Sequence, residues 1–277
     1  MKPKSDQQLM VDVQNRPDRR GIPINKVGVN QLRYPIVVLD RAHEKQHTIA
    51  TVSMSVNLNE HFKGTHMSRF VEVLNEHRED MTMWTLPHIL YNLKKRLQAE
   101  CAHLEMEFPY FIERSAPVSG ATALMDYQCT FIGDSLNGQY DFTLRVKVPV
   151  TSLCPCSKEI SDYGAHNQRG IITVDVRGER DGRPEMIWIE EVVEIAEQCA
   201  SAPVYALLKR PDERHVTMQA YDNPAFVEDI VRNLALRLQN DERVVWFRVQ
   251  AENYESIHNH NAFACIEWAR EAQISNI

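Results

Sequence analysis

Tyr140 to Val150 reads YDFTLRVKVPV, and polar and apolar residues alternate through it: Phe142, Leu144, Val146 and Val148 share one side, Thr143, Arg145 and Lys147 the other. A period of two puts successive side chains on opposite faces of a strand, so this stretch reads as a strand with one face buried. Downstream, Gly170 to Arg177 (GIITVDVR) is a second strand and Ile189 to Ala200 (IEEVVEIAEQCA) an amphipathic helix. Pro224 leads into another helix over Val227 to Leu238, with Ile230, Val231, Leu234 and Leu238 on one stripe. Arg243 to Ala251 and Asn261 to Ala269 close this half as strands.

Upstream the order is the same. Val37-Val38-Leu39 and Thr48 to Leu58 (TIATVSMSVNL) predict two antiparallel strands. A helix follows with Ser68 as N-cap and Phe70, Val71, Val73 and Leu74 as its apolar positions. Pro87 opens a second helix that keeps three-to-four spacing through Ile89, Leu90, Leu93, Leu97 and Cys101. Strands resume at about Glu107–Arg114 and Leu124–Gly133. Strand-strand-helix-helix-strand-strand thus occurs twice, at a spacing of roughly 100 residues, far longer than a solenoid repeat. The expectation is an α+β chain: an N-terminal arm over 1–30, a first antiparallel-sheet unit over 31–137 and a second over 138–277, with helices on one face of each. Open sheet edges need covering, which favours a homo-oligomer closed edge to edge into a barrel over a monomeric two-domain sandwich.

Composition narrows the function. Lys and Arg total 31 against 38 Asp and Glu, a net charge of −7, which argues against a general binder of nucleic acid or anionic membranes. No apolar run approaches the roughly 20 residues of a membrane span. The first residues, Met1 to Gln8, lack an apolar leader core. Six cysteines are too few for a disulfide scaffold, so the expected setting is the cytoplasm, with reduced thiols.

The densest chemical segment lies between two predicted strands, Ser152 to Gly170, and includes Cys154-Pro155-Cys156, Lys158, His166 and Arg169. A thiolate and an imidazole suit a borderline divalent metal, and a connection from Cys154 to His166 is long enough to bring both to one ion. Two ligands need a third from elsewhere, which leaves a coordination position open, as catalytic sites do. A redox pair or half of a structural zinc site are the alternatives. The remaining cysteines, 101, 129, 199 and 265, fall in apolar-patterned elements and read as core fillers. Four further clusters stand out: the charged turn Lys209 to His215, Glu228 near a helix start, Glu255-Ser256-Ile257-His258-Asn259-His260 between the last strands, and Lys63 to Arg69 before the first helix, where cations and helix amides suit an anion.

Taken together, these motifs resemble the GTP cyclohydrolase IB family, the metal-promiscuous, tunnelling-fold enzymes that start folate synthesis. The likeness runs from Asp12-Val13-Gln14-Asn15-Arg16-Pro17-Asp18 and Ile22-Pro23-Ile24 through Lys63 to Phe70 and peaks at Cys154 to Ile160. It continues through Gly164 to Gly170, Ala202 to Tyr205 and Asn223-Pro224 to Glu255-Ser256-Ile257-His258. The resemblance implies two tandem tunnelling-fold units, a homotetramer, and hydrolysis of GTP to 7,8-dihydroneopterin triphosphate and formate. It implies a divalent ion (Mn2+, Fe2+ or Zn2+) on Cys154, His166 and Glu213, with Glu228 anchoring the purine and Glu255 and His258 among the active-site groups. Met218 departs from the pattern, standing where many relatives would carry a Glu.

A physical reading accompanies it. A buried carboxylate at Glu228 accepts from the ring N–H and exocyclic amine of guanine at once. Water activated by the ion attacks carbon 8, while His258, oriented by Glu255, carries the proton. Lys63, Arg69, Lys158 and Arg169 are the cations expected to hold the triphosphate. The rival chemistry is that of the tunnelling-fold nitrile reductase, in which Cys154 would attack a deazaguanine as nucleophile with NADPH; a non-enzymatic rival is a structural zinc protein.

Overall fold

A computed structural model describes residues 12–14 and 16–270. Its centre is one continuous antiparallel sheet. The strands are β1 (Ile24–Asp40), β2 (Glu44–Leu58), β3 (Ala102–Ser115), β4 (Thr122–Leu136), β5 (Gln139–Leu153), β6 (Asn167–Arg180), β7 (Arg183–Pro184), β8 (Ala202–Pro203), β9 (Val244–Asn253) and β10 (Ala262–Ala269). Their order is β1-β2-β3-β4-β5-β6-β9-β10, with β7 paired to β6 and β8 to β5. The helices are α1 (Met67–His77), α2 (Leu86–Leu97), α3 (Pro155–Ile160), α4 (Ile189–Glu197), α5 (Arg210–Asp222) and α6 (Val227–Asn240).

The alternation read in Tyr140–Val150 is real. Leu144, Val146, Val148 and Val150 are buried, and Arg145 pairs across the ladder with Asp175 through two short hydrogen bonds. The β4–β5 connection is a two-residue hairpin at Asn137-Gly138, both with positive φ, the turn whose twist matches that of its strands. The expected boundary between units therefore falls on a hairpin tip inside a single sheet. The helices cover the apolar face. On β4, a Cβ on Gly133 would lie 3.2 Å from Leu90 and 3.3 Å from Leu86, so a glycine there lets α2 sit close. One apolar cluster runs from Ile36 on β1 to Phe247 on β9, with Phe70, Leu90 and Leu234 contributed by helices.

Several sequence expectations shift. The arm expected over 1–30 ends earlier, because β1 begins at Ile24; residues 1–11 lie outside the described residues. Ser68 does not cap α1: the helix starts at Met67, and its N-cap His66 makes no side-chain cap bond. The second helix stops at Leu97, where Gln98 turns left-handed (φ 54°) and its N–H closes on the Lys94 carbonyl. Cys101 therefore precedes β3 half-buried, and Cys265 is exposed on the edge strand β10; Cys129 and Cys199 are buried as expected. The charged turn at Lys209–His215 is the start of α5.

Candidate active site

The site grows from the end of the β5–β6 hairpin. Leu153 and Asn167 are the last ladder partners, and beyond them the Cys154 N–H donates to the His166 carbonyl at 3.1 Å. That bond closes the excursion from 155 to 165 on itself and sets the thiol-bearing and imidazole-bearing residues side by side. Inside the excursion, α3 starts directly after Cys154 with Pro155 in its first turn. The Ser157 hydroxyl accepts from the His166 N–H at 2.9 Å, and Gly164, at φ +127°, makes the return turn that a side chain would strain.

Behind this pair stands a buried brace. Asn253, at the end of β9, donates from Nδ2 to the Ser152 Oγ at 2.9 Å, and that hydroxyl donates to the Ala225 carbonyl at 3.1 Å. The Ala225 N–H returns to the Leu153 carbonyl, and the Leu153 N–H reaches the Ser201 Oγ at 3.0 Å. Gly170 faces Asn253 across the ladder, where any Cβ would lie 2.6 Å from the Asn253 Oδ1. The brace thus fixes the end of β5, the end of β9 and the start of α6 against one another.

The sequence-predicted residues distribute unevenly around this frame. His166 and Glu255 come together, and Cys154 is joined to His166 through the backbone: the His166 Nδ1 lies 2.9 Å from the Gln168 Oε1, 3.4 Å from the Ser256 Oγ and 3.9 Å from a Glu255 carboxylate oxygen. His166 and Glu255 are 13% and 12% exposed, sheltered without being sealed. Glu228 sits in the first turn of α6, three residues past the brace at Ala225, but it is exposed rather than buried in the chain. His258 is also exposed; its ring stacks on His260 (5.1 Å, 20°), while Glu255 contacts Gln168 and His166. Glu213 projects, exposed, from the first turn of α5. Among the described residues no three Cys, His, Asp or Glu groups converge as a ready cation site: the backbone joins Cys154 to His166, and Glu213 stands on another helix.

The four predicted triphosphate cations also separate. Arg169 is exposed beside an open trough of about 510 Å³ that Lys147, Thr173, Glu252 and Tyr254 also line. The Lys158 Nζ donates to the Tyr221 carbonyl at 2.5 Å and lies 4.3 Å from that ring's centre, so it ties α3 to α5. Arg69 donates to the Arg96 carbonyl at 2.6 Å, near the end of α2. Lys63 is exposed beside Arg16, whose carbonyl accepts its backbone N–H.

Sequence reasoning assigned no role to Gln168, Ser152 or Asn253. The available signal was positional: Gln168 lies two residues from His166.

The start of α5 is set by Asp212. Its buried carboxylate accepts from the Val118 and Ser119 N–H groups, the Ser119 hydroxyl and the Lys209 N–H, between 2.6 and 2.8 Å. Burial pushes the carboxyl up, but these hydrogen bonds together outweigh it and hold the group well below the usual carboxylate range.

Comparison with known proteins decides the family. The family described as type I GTP cyclohydrolase folE2 matches residues 10–264. The chain belongs to that family. The GTP cyclohydrolase FolE2 of Citrifermentans bemidjiense is 59% identical over 261 residues, covering 94% of this chain and 96% of that one. That of Syntrophotalea carbinolica is 56% identical over 259 residues, covering 94% and 95%. Among solved structures, urate oxidase from Bacillus sp. TB-90 superposes with a TM-score of 0.52 at 8% identity, covering 89% of this chain and all of that one. Uricase from Arthrobacter globiformis gives 0.50 at 8%, covering 91% and 96%. At such identities the likeness concerns the fold alone, so this FolE2-family chain shares its antiparallel sheet and helix layer with the uricases. Among its described residues, no helix is long and apolar enough to cross a membrane.

Proposed function

We propose that the chain is a metal-dependent GTP cyclohydrolase that hydrolyses GTP to 7,8-dihydroneopterin triphosphate and formate, the entry reaction of tetrahydrofolate synthesis, in the cytoplasm. The observation that carries this reading is the Cys154 N–H···O=C His166 closure, which makes neighbours of a cysteine and a histidine in a family whose relatives bear that name. Cys154 and His166 would hold a divalent ion, with Glu213 as the third ligand. A thiolate, imidazole and carboxylate accept Mn2+, Fe2+ or Zn2+ alike. Such an ion would supply Lewis acidity, lowering the pKa of a water for attack on carbon 8 of guanine.

The chain's own residues do the rest. Glu228 accepts from the two donors on one edge of guanine, a bidentate pair that selects purine-like rings. His258 moves the proton between ring nitrogen and solvent, and Glu255 steadies the histidine side of the site. Arg169, exposed beside the trough, is the best placed of the four cations for the triphosphate, with Lys63, Arg69 and Lys158 as further contributors. The relatives give no support to the nitrile-reductase chemistry.

We read the sheet as two tandem tunnelling-fold units. Among the described residues the outer strands β1 and β10 leave two open edges, which pairing between copies would close into a barrel, as in a homotetramer. Exposure of Glu228 and His258 fits sites completed at such an interface.

Replacing Cys154→Ala tests the reading. The variant is expected to lose bound metal and turnover while keeping the wild-type circular dichroism spectrum; metal content and pterin formation at wild-type levels would contradict it.

A further inference from the structure

We propose that copies of this chain join β10 to β1 in one register, with Glu267 opposite the partner's Arg33. This rests on the edge-to-edge closure read above and fixes which residues meet there.

One row across the sheet carries the inference. Residues directly opposite one another in an antiparallel ladder point to the same face. From the outer strand β1, Arg33 lies opposite Thr51, Thr51 opposite Glu107, Glu107 opposite Thr130 and Thr130 opposite Arg145. The row continues through Asp175 and Arg248 to Glu267 on the outer strand β10. From β5 onward the charges alternate, and Arg145 and Asp175 are joined by hydrogen bonds of 2.6 and 2.8 Å. Glu267 accepts from the Trp246 indole at 3.2 Å and is exposed at the edge. Arg33 is exposed at the other edge, with no ion-pair partner among the described residues. The row thus ends on a carboxylate and begins on a guanidinium, so a second copy supplies the next charge in the alternation.

The rest of the two edges fits the same register. The path from β1 to β10 holds an even number of antiparallel strands, so its edges run in opposite directions and a copy rotated about the barrel axis pairs antiparallel. With Glu267 opposite the partner's Arg33, the core-facing pairs are Trp268 with the partner's Leu32, Ile266 with the partner's Tyr34, Ala264 with the partner's Ile36 and Ala262 with the partner's Val38. All of these belong to the apolar core of a chain or pack against it. On the bare face Cys265 meets the partner's Pro35, and Phe263, 70% exposed in one chain, meets the partner's Val37. Pro35 has no N–H, so the seam loses at most one ladder bond there. A slip of one residue would set the polar face of one edge against the apolar face of the other. A slip of two sets Glu267 against the partner's Gln31, left-handed at φ 53° beside a break in the β1 ladder, or else against the partner's Pro35, with Ala262 against the partner's buried Asp40. The register also carries the partner's β1–β2 turn, which follows Asp40, to the start of β10, where the loop of Glu255 and His258 ends.

Cross-linking of the full chain tests this. Pro35→Cys places a thiol opposite the partner's native Cys265, at a spacing that a disulfide accepts. Mild oxidation is expected to give covalent dimers on a non-reducing gel, and Cys265→Ser in the same background to abolish them. Arg33→Cys and Val37→Cys, two residues to either side, are expected to link about tenfold more slowly. Charge reversal gives a second readout: Glu267→Arg and Arg33→Glu alone should each raise the concentration at which copies separate roughly 2- to 5-fold in sedimentation, and the double variant should restore it. Linking that is fastest at residue 33 or 37, or a double variant no better than the singles, overturns the register. Wild-type protein that sediments as a monomer removes the edge-to-edge reading itself, and an assembled wild type in which none of the three positions links overturns the seam. Should Pro35→Cys fail to fold, the charge reversals still decide.

Discussion

Glu228 and Asp229 share the first turn of α6 but do different work. Asp229 accepts the Phe226 N–H at 3.1 Å and so closes the helix start, whereas Glu228 has no partner among the described residues. A carboxylate with no structural task, held three residues from a buried brace, is available for a ligand. Glu228→Ala should therefore leave metal content and Tm unchanged and weaken GTP binding by about 3 kcal/mol, roughly a hundredfold in Kd, because two charge-assisted hydrogen bonds disappear. Isothermal titration with GTP checks this, and an unchanged Kd would remove the anchor role. Cys154 and His166 were legible in the sequence because thiol and imidazole are uncommon and chemically distinctive, and the loop between them was long for a hairpin. Gln168, Ser152 and Asn253 were not, since neutral polar residues are common in any loop. What makes them special is burial and register, which exist only once β5, β6 and β9 are side by side.

At the level of elements, legibility followed the apolar period. β5, α4 and α6 bury one face each and were read from their spacing. α5 was missed because it is held by its end rather than its face: Asp212 and Ala220 are its buried residues, and Pro211 and the Asp212 hydrogen bonds start it. The first half of β1 was missed because it is largely exposed and broken by register shifts, so no burial pattern marks it. The Asp212 carboxylate joins α5 to the β3–β4 connection at Val118 and Ser119, and it sits next to Glu213, the third donor proposed for the ion. Its folded pKa is depressed, so the ionised form stabilises the fold above the unfolded value of about 4, and this is lost as pH falls towards the folded value. Asp212→Asn should accordingly lower Tm at neutral pH, with the gap to wild type closing as pH drops below about 4. Thermal melts across pH 3 to 7 measure it; a gap independent of pH would show that the charge contributes nothing.

Across the whole molecule, two carboxylates on α4 tie the halves together. Glu190 accepts from the Tyr110 hydroxyl at 2.7 Å and the Arg41 N–H at 3.0 Å, and buried Glu197 receives the Tyr127 hydroxyl and the Arg114 guanidinium. Strands of the first half are therefore bonded to a helix of the second, and the sheet behaves as one frame rather than two beads. On that frame the β5–β6 hairpin, the end of β9 and the start of α6 converge, and His166, Gln168, Glu255 and Ser256 gather there. Among the described residues β1 and β10 are the outer strands of that frame. Metal-replete protein incubated with GTP should release formate and, after oxidation, a fluorescent pterin in equal amounts, with neither formed after chelation and both restored by added metal; intact GTP in the presence of fully metal-loaded protein would contradict the cyclohydrolase reading.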